Sequence, residues 1–188
     1  IGFNGAYNLS EKLNVSASAN YVTHDAVGRP GTGYDGKNVM QQFTQWGQRQ
    51  LNMDIAKNYM LEDGTQLTWN RTAWDNPTPK YTDNPYWTRY MNYQNDSRDR
   101  IFGNIAANYK LTDHISAEVR VSTDTYAETQ EERTAIGSQD IPGYSLYKIN
   151  FMENNIQGIV NYNKDLSEKF SLNAFAGANR MTRDRATL

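Results

Sequence analysis

Trp69, Trp74, Trp87 and Tyr90 are the residues of this sequence best suited to meet a ligand. An aromatic face stacks on a sugar ring or packs against a peptide. All four sit in one long connection, 24–98, the kind of segment where binding residues concentrate. The competing reading is that they fold the stretch upon itself, because a segment this long needs a small core of its own. Other chemistry is poorly provided for. His24 and His114 are the only histidines, and neither has a His, Asp or Glu at ligand spacing. Glu62-Asp63 and Glu131-Glu132-Arg133 are adjacent acids of the kind that water solvates, not a spaced acid–base pair. No glycine-rich phosphate loop follows a strand, and no nucleophile elbow is present. The sequence therefore points to no catalytic residue, no metal site, no cofactor and no enzyme. Four Asn-x-Ser/Thr triplets, at Asn8, Asn14, Asn70 and Asn95, lie mostly in strand patterns and are read as chance.

The elements around these residues are strands. From Asp99 the residues Ile101, Gly103, Ile105, Ala107, Tyr109 and Leu111 alternate with Asn104, Ala106, Asn108 and Lys110. After a turn at Leu111-Thr112-Asp113-His114, Ile115, Ala117, Val119 and Val121 alternate with Ser116, Glu118, Arg120, Ser122 and Asp124. Period-2 alternation over such lengths marks strands with one apolar and one polar face. Hairpins are expected over 1–23, 99–133 and 148–184, with turns at Ser10-Glu11-Lys12, at 111–114 and at Asp165–Lys169. Between them lie two long connections, 24–98 and 134–147, read as loops. Within the first, Asn38 is placed as the N-cap of a short helix to Gly47, with Val39, Met40, Phe43 and Trp46 near helical spacing. Glu62-Asp63-Gly64 is read as a hairpin turn between Ile55–Leu61 and Gln66–Asn70.

Composition narrows the class. Hydrophobic residues make up 38% of the 188, and mean hydropathy is −0.82, yet aromatics reach 12% with 13 Tyr. That suits much polar surface with aromatics where apolar meets wet, not a large greasy core. No apolar run reaches the length of a membrane helix, but barrel strands alternate and scarcely register on hydropathy. The net charge of −2 comes without a basic block, which argues against a nucleic-acid partner. With no cysteine there is neither a disulfide scaffold nor a thiolate metal site. The chain starts inside a strand pattern and stops without a closing element, so it reads as an internal segment of a longer polypeptide.

The three turns resemble one another: Tyr7-Asn-Leu-Ser-Glu-Lys-Leu13, Tyr109-Lys-Leu-Thr-Asp-His-Ile115 and Tyr162-Asn-Lys-Asp-Leu-Ser-Glu-Lys-Phe170. Tyr7, Tyr109 and Tyr162 thus stand at one level, and a ring of Tyr is what a membrane interface selects. Short turns at one end and long loops at the other also suit an outer-membrane barrel. A soluble β-sandwich with tyrosines at strand ends is the alternative. An open sheet cannot span lipid, so a barrel would need strands beyond these six.

The run Asn84-Pro-Tyr-Trp-Thr-Arg-Tyr90, followed by Asn95-Asp-Ser-Arg-Asp-Arg-Ile-Phe-Gly-Asn-Ile105, resembles the SusC/RagA family of TonB-dependent outer-membrane transporters. So do Gln45-Trp-Gly-Gln-Arg-Gln-Leu51, Trp69-Asn70 and the segment from Asn161 to Arg180. Gly47-Gln48-Arg49 departs from the pattern, since the family more often has Gly directly before Arg. The resemblance implies an antiparallel transmembrane barrel of about 22 strands with short periplasmic turns and long extracellular loops. This chain would be part of its wall, in the outer membrane of a Bacteroidetes bacterium, with the plug domain and TonB box absent from it. It implies partners as well: a SusD-like surface lipoprotein, the TonB-ExbB-ExbD complex reached through other parts of the protein, outer-membrane lipid, and an oligosaccharide or peptide substrate. A soluble β-rich carbohydrate-binding module and a β-fold hydrolase are the competing functions, and for the hydrolase no convincing carboxylate pair is available.

Overall fold

The computed structural model describes residues 1–188 and is all-β. Six strands, β1 (Gly2–Asn8), β2 (Leu13–Ala26), β3 (Gln94–Lys110), β4 (Ile115–Thr134), β5 (Gly143–Ser167) and β6 (Phe170–Thr187), pair in sequence order in one open antiparallel sheet. The chain divides into two compact units. One holds Ile1–His24, Arg98–Glu128 and Lys148–Leu188, and the other holds Asp25–Ser97 and Thr129–Tyr147.

In the first unit, register keeps the two faces distinct. Phe3 pairs with Ala19, Gly5 with Ala17 and Tyr7 with Val15, so apolar meets apolar, and Asn4 meets Ser18 on the other side. Asn104 Nδ2 donates to Ser18 Oγ at 2.7 Å, which puts the even residues of β2 and β3 on one face. On the opposite face Ile105 is 60% exposed and Val119 53% exposed, and Ile101, Tyr109, Ile156 and Val160 are exposed too. No second layer covers the apolar side. Gly103 explains how β2 and β3 approach: a Cβ there would sit on the carbonyl oxygen of Ser18.

Two of the three turns are built alike. Ser10 Oγ accepts from the amides of Lys12 and Leu13, and Thr112 Oγ1 accepts from those of His114 and Ile115. A hydroxyl that holds the two amides after it closes the turn locally. The third turn differs from expectation. Ser167 pairs with Phe170, so only Glu168 and Lys169 turn, and a bulge between Asp165 and Ser167 takes up the extra residue.

The second unit corrects several expectations. The strands run further than their periodicity suggested, so the connections are shorter than 24–98 and 134–147. β5 begins at Gly143, not at 148. Asn38 does cap a helix, accepting from the amides of Met40 and Gln41, but that helix is one turn (α1, Val39–Gln41) that passes into a π-turn over Gln42–Trp46. Gln42, not an apolar residue, is its buried member. The expected hairpin around Glu62-Asp63-Gly64 reduces to one bridge, Met60 to Gln66. Asn52 caps a helical turn (α2, Met53–Ala56) that takes Ile55 out of any strand, while Gly64 at φ +82° permits the tight turn. Pro85–Met91 is a helix (α3), although the surrounding prolines read as loop; Asn84 caps it and Pro85 starts it.

Candidate functional site

The second unit is held by amides rather than by an apolar stripe. Asn84 Nδ2 donates to the carbonyls of Ala56 and Leu67, both at 2.8 Å, and its Oδ1 caps α3. Gln66 Oε1 accepts from the Asn84 amide at 2.6 Å, and Gln66 Nε2 donates to Asp83 Oδ1 at 2.9 Å. Asp83 also accepts from the Gln139 amide and from Asn92 Nδ2. Asn92 Oδ1 in turn accepts from Ala135 N and Ser138 Oγ, tying 135–138 to the end of α3. Burial holds the Asp83 carboxyl above the usual carboxylate range, against the pull of its three hydrogen bonds, and nearby Asp140 pushes the same way as burial.

The four aromatic candidates separate on this framework. Trp87 is 1% exposed and donates its indole N–H to Ser138 Oγ at 2.9 Å. It offers no face to a ligand, so as a contact residue it is corrected to a core residue. Its place on α3, pointing into the amide network, is the physical reason. Trp74 is 88% exposed. Tyr90 is exposed beside Tyr59 and Tyr86, with ring centroids 5.5 and 6.5 Å away. Trp69 is half-buried and lines a cleft of about 590 Å³ with Gln48, Gln50, Asn52, Asn70 and Arg71. A stack of Trp46 on Tyr81, at 5.3 Å and 9°, was not expected from sequence, since the two are 35 positions apart in a region without period.

Among the strand tyrosines, Tyr7 and Tyr109 are exposed and Tyr162 is half-buried, its ring 6.4 Å from that of His114. The polar face carries more order than the sequence reading found. Beside the Glu118–Arg120 pair within β4, Arg98 forks onto Glu128, Arg100 onto Asp124 and Arg183 onto Glu153. Arg98, Tyr126, Phe151 and Arg183 form one row across β3 to β6. The Arg98 guanidinium lies 4.8 Å from the Tyr126 ring, Tyr126 stacks on Phe151 at 4.9 Å, and Arg183 lies 5.8 Å beyond. Shared parity of Arg98, Arg100, Asp124 and Glu128 was the available signal.

No group of three or more His, Cys, Asp or Glu is placed to hold a metal ion. What the arrangement offers is non-covalent: aromatic faces, amide donors and paired charges. No family model matches the chain, and no curated protein matches it.

Proposed function

We propose that this chain is part of the barrel wall of an outer-membrane TonB-dependent importer of the SusC/RagA kind, taking up glycans or oligopeptides with a SusD-like lipoprotein. One observation carries the reading. The sheet has an apolar face of Val, Ile, Ala, Leu and Tyr with no protein layer over it, interrupted on β6 by Arg180, which pairs with Ile156. Water is a costly neighbour for that much apolar surface, and hydrocarbon is not. From Ile101 to Tyr109 the apolar face runs roughly 26 Å along the strand, at about 3.3 Å per residue. Tilted by about 40°, that gives a belt of roughly 20 Å, against the roughly 25 Å of a barrel's apolar band. Alternate connections are short and long, as in barrels with periplasmic turns and external loops. The half-buried Trp69 and the exposed Trp74 and Tyr90 would then belong to the outward-facing loops.

The test is extraction. Cell membranes carrying the protein are washed with urea and alkaline carbonate, then treated with detergent. The importer reading expects the protein in the outer-membrane fraction, resistant to both washes and released only by detergent. A monodisperse protein in plain buffer would end that reading in favour of a soluble carbohydrate-binding module.

A further inference from the structure

The cleft at Trp69 has a lopsided polar fringe. Asn52 Oδ1 accepts from the Asp54 amide at 2.9 Å, and Asn70 Oδ1 accepts from the Tyr81 amide at 2.7 Å. Backbone donors therefore fix both side-chain amides with the oxygen engaged and the NH₂ group left over. Gln48 is similar, since its Oε1 accepts from Gln50 Nε2 at 2.7 Å. The free NH₂ groups of Gln48, Asn52 and Asn70 have no protein acceptor, and the Arg71 guanidinium is in no ion pair. No carboxylate lines the cleft. At about 590 Å³ it is within the range of small-ligand sites.

A site with surplus donors, one unpaired positive charge and an indole wall suits a ligand with the opposite inventory: many acceptor oxygens, a negative charge and a flat carbon face. We infer that this cleft binds an acidic oligosaccharide, its carboxylate or sulfate on Arg71 and a sugar ring against Trp69. A peptide fits less well, because its backbone brings as many N–H donors as acceptors, and the amide oxygens of Asn52, Asn70 and Gln48 are already engaged. The inference rests on the importer reading for its biological role, naming which of that reading's two substrate classes meets the chain here.

Calorimetric titration of the detergent-purified protein tests it with four probes: tetragalacturonate, a chondroitin sulfate tetrasaccharide, uncharged cellotetraose and tetraglutamate. At least one of the two acidic sugars binds. Arg71→Gln, an exposed change that leaves the thermal midpoint in place, weakens that binding about tenfold or more, as loss of a charge-assisted contact does. The same variant leaves any cellotetraose binding within about twofold. Silence from both acidic sugars, an unchanged affinity in Arg71→Gln, or tighter binding of tetraglutamate each overturns the assignment. Membrane extraction is scored separately. A detergent-dependent protein that binds no acidic sugar loses only the cleft assignment, and a water-soluble protein that binds one loses only the importer.

Discussion

Asp83 is a carboxylate set among amides, with three donors and no cation. Its burial penalises the ionised form, so the folded unit favours the proton and the carboxyl titrates above its ordinary value of 3.8. The sign of the linkage follows. A carboxyl whose folded value is raised contributes stability that is fully present below the ordinary value and lost as pH rises through the folded one. Asp83→Asn removes that titration. It also sets an NH₂ group against Asn92 Nδ2, at a cost of about 1–3 kcal/mol. Native protein should therefore exceed the variant in thermal midpoint by most near pH 4, and the gap should narrow toward pH 7. Tryptophan fluorescence reads this directly, because Trp87 is enclosed in the same network. A gap that widens with pH would contradict the placement of Asp83.

At the scale of elements, strands were legible and the second unit was not. Ile101 to Leu111 and Ile115 to Val121 announce themselves because a sheet face repeats every two residues, and the pairing of Arg100 with Asp124 respects that parity. The amide core has no period to read. Asn84, Asn92 and Gln66 are polar residues that sequence reasoning assigns to the surface, yet each is at most 6% exposed. Their burial is decided by partners up to 71 positions away, as with Gln66 and Gly137. Trp87 takes the second of the two roles open to it in the sequence, because a tryptophan in a loop and one in a loop's core look alike there. Trp69 is half-buried and lines a cleft. The strand faces give a sharp test. Under the importer reading, Val119→Arg puts a charge on the lipid side and should destabilise the protein in liposomes by about 2–4 kcal/mol near mid-bilayer. Ser122→Arg, on the side of Asp124 and Asn104, should cost far less. Urea unfolding of both variants in vesicles decides it, and equal losses would contradict the assigned faces.

For the whole molecule, the decisive feature is that the sheet has two edges. β1 and β6 each have a partner on one side only. β6 is 18 residues long and exposed throughout, with no helix or loop laid along it. In water, such an edge invites pairing with another chain. In hydrocarbon, every unpaired backbone group costs several kcal/mol, so a spanning sheet must close. The importer reading thus commits to further strands beside both β1 and β6. Hydrogen exchange in the membrane-embedded protein measures this without any mutation. Amides in the middle of β3 and β4, paired on both sides, set the standard for protection. Closure demands that the outward amides of β1 and β6 reach comparable protection, and that they exchange orders of magnitude faster when the 188-residue chain is made alone. If the outward amides of the embedded protein exchange as freely as those of the isolated chain, the two edges are open to water. A sheet with wet edges and an apolar face is then an interaction surface of a soluble protein, and the transport reading falls with it.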